Sequence, residues 1–337
     1  MQFGIRYDLR NPPQWRRPFE QHYARFLDQV AWADEHGFSR LMLSEHHFVE
    51  DGYLPSPFVV AAAAAARTKR MRIMISLVLL PLKHPVQVAE DGAMVDIISG
   101  GRLDLVVGGG YREAEFLGYG IPMNQRGGRM EEGTQIIRRC WEEEEFSFEG
   151  RYWKLKNVRM TPRPVQKPRP PIIMGGSSPA AARRAARLAD GFSPTAPKLM
   201  QFWREEMVKL GKDPGPEPPR DAPRAPRSFL HVARDPRAAW KAIGPHALHE
   251  SNSYASFVGT ARFGVYQAST NPDDLLKAGT HAVMTPEQAV DLGKRMERAD
   301  PKGAALMFHP MIGGLPPEIG QQCLQLVVDE VMPHFRR

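Results

Sequence analysis

The chain has 337 residues, 42% apolar and 25% charged, with a formal net charge of +7. That is enough apolar sequence for one large barrel or two average domains, and it excludes a disordered or low-complexity chain. The surplus arginine is spread along the chain, with no basic block interleaved with aromatics, so nucleic acid is not expected as a partner.

Residues 3–7 read as a first strand. After the turn at Asn11–Pro13, residues 20–36 carry apolar side chains at helical spacing, and Gly37 stands where a helix stop belongs. A strand-like start of this kind leaves no room for a signal peptide, and no apolar run reaches membrane-spanning length, so a cytoplasmic protein is expected. The second strand, 41–44, runs into Glu45-His46-His47-Phe48. Pro55 and Pro57 open a helix over 61–66, six consecutive alanines suited to close helix or subunit contact.

A strongly apolar strand over 71–80 ends at Pro81. A helix follows from His84-Pro85 to Ile98, closed by Gly100-Gly101. Residues 103–107 form a fourth strand before Gly108-Gly109-Gly110, and a helix spans about 128–141. Strand then helix, four times over, implies parallel strands with right-handed crossovers. Cys140 and Cys323 sit far apart in helical patterns, which indicates neither a disulfide framework nor a zinc site.

Residues 142–170 break the rhythm as an insertion, with a hairpin signal around Glu149-Gly150 and a proline-rich return. Its acidic run 142–145 reads as a solvated face. A fifth strand, 172–174, leads into Gly175-Gly176-Ser177-Ser178 and a helix over 179–189. A sixth strand (191–195) and helix (199–210) precede a segment, 212–227, rich in Pro, Arg and Asp and read as a mobile loop. Residues 229–233 make strand seven, 286–298 a helix, 304–308 strand eight and 317–331 the closing helix. The stretch between 233 and 280 is hard to parse and is read as helices with long connections. The sum is an α/β fold, one (β/α)8 TIM barrel with insertions filling 1–337; a doubly wound open sheet is the alternative.

In such a barrel the active site lies at the carboxyl ends of the strands. Glu45, His46 and His47 stand at one of those ends, where titratable groups of tunable pKa do chemistry. Adjacent strand residues point to opposite faces, so the two histidines do not form one metal pair. Glu45 and His47 share a face, and His84 and His309 lie at other strand ends, so a metal-dependent TIM-barrel hydrolase stays open as an alternative. The preferred reading assigns no metal and makes one imidazole a general acid/base. In Gly175–Ser178 the glycines allow close backbone approach, Ser178 can cap the next helix and Pro179 fits its first turn. Free amides at that helix start suit an anion, a phosphate above all.

EHHF after strand two, LPLKHPVQVAED, DIISGGRLDLVVGGGY and MGGSSPAAARRAARLADG, in that order, resemble the bacterial luciferase-like flavin monooxygenase family. The likeness runs from about residue 3 to 195, returns at Gly313-Gly314 and the VMP of the last helix, and lapses over about 196–300. It implies a (β/α)8 barrel holding reduced FMN, or in one branch the deazaflavin F420. It places His46 as the catalytic acid/base in the flavin and O2 chemistry, with Glu45 and His47 orienting it. By the same resemblance Gly175, Gly176, Ser177 and Ser178 bind the flavin phosphate, with Arg129, or Arg126 if the alignment slips, beside it. Ser76–Leu77 falls where the family often has a non-prolyl cis peptide against the flavin ring. Gly108 falls beside the flavin, where luciferase has a cysteine nearby, so light emission is not implied.

The expected protein is therefore a two-component monooxygenase, fed by a separate flavin reductase and oxidising a small organic substrate with O2. An F420-dependent hydride-transfer oxidoreductase and a non-catalytic flavin-binding protein are the other readings. A homodimer is expected from the family, and substrate contacts from 142–170 and 196–300.

Overall fold

A computed structural model of the chain describes residues 1–217, 222–226, 228–258 and 268–335. In chain order it runs β1 (Gln2–Tyr7), α1 (Phe19–Glu35), β2 (Arg40–Leu43), α2 (Pro57–Arg67), β3 (Arg72–Leu79), α3 (Pro85–Ser99), β4 (Leu103–Gly108) and α4 (Glu113–Gly118). It continues with α5 (Arg126–Glu142), β5 (Phe146–Glu149), β6 (Lys154–Val158), β7 (Ile172–Gly176), α6 (Pro179–Leu188), β8 (Gly191–Pro194) and α7 (Met200–Lys209). It closes with β9 (Phe229–Val232), α8 (Pro236–Val258), α9 (Asp273–Lys277), β10 (His281–Met284), α10 (Pro286–Ala299), β11 (Ala305–Phe308) and α11 (Pro317–Leu326).

The helices begin and end for local reasons. Gly37 at φ 97° follows α1, and Gly100 at φ 67° ends α3, both in the left-handed region that glycine enters without penalty. Proline opens α2, α3, α6, α10 and α11, where its missing N–H is no loss. Thr285 and Gln288 form a reciprocal capping box on α10.

The chain divides into two compact units. The first takes Met1–Met42, Val49–Leu54 and Pro216–Arg337. Here β1 pairs in parallel with β11, Ile5 facing Phe308, and β9 pairs in parallel with β10. Phe229, Trp240, Ile243, Leu275, Ile312 and Leu315 pack into its core. The second unit takes Leu43–Phe48 and Pro55–Gly215. Its sheet runs β3-β4-β7-β8, with parallel pairing throughout. Every residue of β4 is buried, as a central parallel strand requires. The antiparallel hairpin β5–β6 sits within the 142–170 insertion.

Two elements differ from the sequence expectation: the short α4 and the four-residue β10 were not foreseen. α8 fills 23 residues of the stretch expected to hold helices. Pro245 lies inside α8, where sequence rules would stop a helix. The expected loop at 212–227 lies partly outside the described residues.

Candidate active site

Leu43, the last residue of β2, delivers the chain to Ser44, Glu45, His46, His47 and Phe48. Glu45, His46 and His47 are all buried. The side chains of Glu45 and His47 bond to each other: Glu45 Oε1 accepts His47 Nε2 at 2.8 Å. The same oxygen lies 2.8 Å from Lys83 Nζ, and Oε2 accepts the Leu79 amide at 2.9 Å. Burial works to raise the Glu45 carboxyl, but His47, Lys83 and the Leu79 amide outweigh it and hold it below the usual range. With Nε2–H given to Glu45, His47 Nδ1 is left to accept from the Tyr119 hydroxyl at 3.1 Å. Both nitrogens of His47 thereby have partners. Lys83 supplies a cation at Glu45, on the same oxygen that faces His47. His84 is exposed at the start of α3.

His46 is held by a second carboxylate and a second tyrosine, with the ring nitrogens in the opposite order. Its Nδ1 lies 2.8 Å from Oε1 of Glu115, a fully buried carboxylate on α4, and the same oxygen accepts the His47 backbone amide at 2.9 Å. The Tyr111 hydroxyl stands 3.2 Å from His46 Nε2. Phe116 packs with Leu79 and Leu82, so α4 and its carboxylate are anchored by apolar contact. Arg112, just before α4, donates to the carbonyls of His47 and Phe48. The segment is thus gripped at amide, imidazole and carbonyls by one short stretch of chain. Glu115 and Tyr111 were not foreseen. The only sequence signal for Glu115 is an acid set between Ala114 and the buried Phe116.

The Ser76–Leu77 peptide is cis. The Leu77 side chain occupies the space that side chains at Gly108 and Gly175 would need: a Cβ at either would lie 2.5 or 2.7 Å from its methyl carbons. The two glycines therefore make room for Leu77. At the end of β7, Ser178 Oγ accepts the Ala181 amide at 3.2 Å and caps α6, as the GGSSP pattern predicts. Gly176 packs on α6, where a Cβ would meet Ala181 Cβ at 2.5 Å, and Ser177 is half-buried.

Arg126 and Arg129 lie in the first turn of α5, with Arg126 Cδ 4.0 Å from the position of a Cβ on Gly109. Arg126 donates to the Met123 carbonyl, and Arg129 to Gln125 and weakly to the Pro81 carbonyl. Neither meets a carboxylate among the described residues. By contrast Arg139, Arg169 and Arg184 of the same unit are each paired with acids. Two uncompensated guanidinium groups at a helix N-terminus beside a glycine loop have the donors and charge for a phosphate.

His309 belongs to a separate buried cluster in the first unit. Ligand atoms of Asp8, Glu250 and His309 lie within 4.8 Å of one another. Each carboxylate is already engaged: Arg10 Nε lies 3.1 Å from Asp8 and Arg6 Nη2 lies 2.7 Å from Glu250. Arg10 also pairs with Asp51. His249 Nε2 meets Asp51 at 2.9 Å, and His309 lies 3.4 Å from Asp8 and 3.5 Å from Glu250, so imidazoles join the two guanidiniums around the three carboxylates. Burial opposes a proton on the His309 ring, and Asp8 and Glu250 outweigh burial to raise the His309 pKa.

A buried acid–imidazole pair and a glycine-rich helix start are carried on repeated βα units of an α/β fold. The luciferase-like monooxygenase family matches residues 1–305, and the chain belongs to that family. It is similar to the oxygenase component of the flavin-dependent trigonelline monooxygenase of Acinetobacter baylyi, at 32% identity over 162 residues, 48% of this chain and 45% of that one. It is also similar to an F420-dependent glucose-6-phosphate dehydrogenase of Microbacterium testaceum, at 26% identity over 324 residues, covering 92% and 93% of the two chains. The chain spans about half the length of the first curated relatives it matches. A solved monooxygenase from Streptomyces bottropensis covers all of both chains at 28% identity and TM-score 0.82. The fold is that of the luciferase-like TIM barrels. No helix among the described residues is long and apolar enough to cross a membrane.

Proposed function

We propose that the protein is the cytoplasmic oxygenase component of a two-component flavin monooxygenase. It takes reduced FMN from a separate reductase, and O2, and oxidises a small organic substrate. The observation that carries this reading is the buried His46 imidazole, held at Nδ1 by the Glu115 carboxylate and facing the Tyr111 hydroxyl at Nε2, a chain along which a proton can pass. Reduced flavin, when bound, supplies the electrons for O2 activation. Arg129, Arg126 and the amides of Gly175–Ser178 hold its phosphate. His46 would give and take the proton at Nε2, with Glu115 holding the imidazole in place, and Leu77 with its cis peptide would help hold the flavin. The buried setting of His46 keeps water from the reacting atoms. A homodimer formed through the alanine-rich α2 completes the reading.

A second reading is hydride transfer with F420. It is favoured by the F420-dependent relative, whose match extends over nearly the whole chain. Fluorescence titration with FMN, reduced FMN and F420, paired with O2 uptake and product analysis, separates the two. Binding of F420 without substrate-dependent O2 uptake with reduced FMN would overturn the monooxygenase reading.

A further inference from the structure

The 142–170 insertion carries a contact that the proposed chemistry does not absorb. The hairpin β5–β6 turns at Gly150–Trp153, closed by a Gly150 amide to Trp153 carbonyl bond of 2.9 Å. Three successive amides of that turn point at one side chain. Glu132 on α5 accepts Arg151 N at 2.8 Å on Oε1, and Tyr152 N at 3.0 Å and Trp153 N at 3.3 Å on Oε2. Such a nest of N–H groups is a natural carboxylate seat.

The result is that two aromatic rings are brought onto the first turn of α5. Tyr152 lies directly on Gly128, where a Cβ would be 2.5 Å from its ring. The Arg129 guanidinium carbon sits 5.6 Å from the Tyr152 ring centre and 5.1 Å from that of Trp153. Rings differ from carboxylates in what they do to an arginine. A carboxylate would fix the guanidinium and cancel its charge, whereas an aromatic face fixes its plane and leaves the charge available. Glu132, the nearest acid in sequence on the hairpin side, is meanwhile occupied by the backbone amides.

We infer that the hairpin is a positioning device for Arg129, and that Glu132 is the positioning residue that docks it. The hairpin orients an uncancelled guanidinium toward an incoming phosphate. This rests on the proposed phosphate role of Arg129.

The test compares FMN with riboflavin, which lacks the phosphate, by fluorescence quenching on the full-length protein. The variants are Glu132→Ala, Glu132→Gln, Tyr152→Leu and Arg129→Ala, with urea midpoints recorded for each. Glu132→Ala and Tyr152→Leu are expected to weaken FMN about tenfold while leaving riboflavin unchanged, and Glu132→Gln, which keeps an accepting oxygen, to recover part of the loss. If Arg129→Ala loses the phosphate-dependent affinity and the hairpin variants keep it, the hairpin inference alone fails. It fails equally if the hairpin variants lose FMN and riboflavin in parallel. If wild type and Arg129→Ala favour FMN over riboflavin to the same degree, the phosphate reading itself fails. The same contrast can be read with F420 against its phosphate-free deazaflavin core.

Discussion

One oxygen of Glu115 serves two adjacent residues, the ring of His46 at 2.8 Å and the backbone amide of His47 at 2.9 Å. A single carboxylate thus fixes both the direction of an imidazole and the path of the chain that carries it. Removing its charge while keeping its shape is expected to damage chemistry more than folding. Glu115→Gln and His46→Ala should each lower turnover by about 10²- to 10⁴-fold with cofactor affinity retained, read as product formed per reduced cofactor supplied. Full substrate oxidation by either variant would remove His46 from the acid/base role.

Glu45 should behave in the opposite way. It is buried and joins His47, Lys83 and the Leu79 amide. Glu45→Ala strands a lysine and a backbone donor without their acceptor, which is expected to cost about 3–5 kcal/mol. Urea denaturation measures it. A midpoint equal to wild type would show that the cluster adds nothing to the fold.

Leu77 is confined on two sides by glycines. Gly175→Ala would push a methyl to 2.7 Å from a Leu77 methyl carbon, and Gly108 closes the other way out. The expected cost is about 1–3 kcal/mol, as for other overpacked sites. The paired variant Gly175→Ala, Leu77→Ala should recover most of it; if it is no more stable than Gly175→Ala alone, the packing account is wrong.

Stability should respond to pH with two opposite limbs. Burial pushes His231 and His281 down to about 4. Their folded values lie below the unfolded value near 6.5, so the unfolded chain binds more protons between about 4 and 6.5, and stability rises with pH across that window. Each contributes a slope of at most about 1.4 kcal/mol per pH unit. His309 runs the other way. Its folded value is raised, so its contribution is complete below about 6.5 and is lost as pH climbs through the folded value. Denaturation midpoints from pH 4 to 9 should show a rise and then a decline, and His309→Gln should flatten the decline alone. An unchanged alkaline limb in that variant would refute the assignment.

Regular elements with strong periodicity were legible, because burial leaves its pattern along a helix or strand. The Ser178 cap and the glycine stops at 37 and 100 were read directly from residue type. The cis Ser76–Leu77 peptide followed from resemblance, and no residue pattern would have revealed it. What escaped was short or distant. Six residues of α4 and four of β10 are too few to show a period. The expectation that Glu45 orients His46 failed to anticipate a partner 69 residues away, because side-chain pairing across elements leaves no local trace. Likewise the cluster of Asp8, Glu250 and His309 is assembled from three remote stretches. The seating of the insertion's hairpin on Glu132 of α5 left no trace in the sequence either.

His46 and His47 are one peptide unit apart and share no side-chain partner. One ring lies between Glu45 at Nε2 and Tyr119 at Nδ1, the other between Glu115 at Nδ1 and Tyr111 at Nε2. Their roles are therefore assigned by register, not by residue type. Deleting Ser44 would carry His47 into the place of His46 and Phe48 into that of His47. Within this segment the spacing from the strand end is the inherited information, and a histidine count alone would not recognise a relative that had lost it.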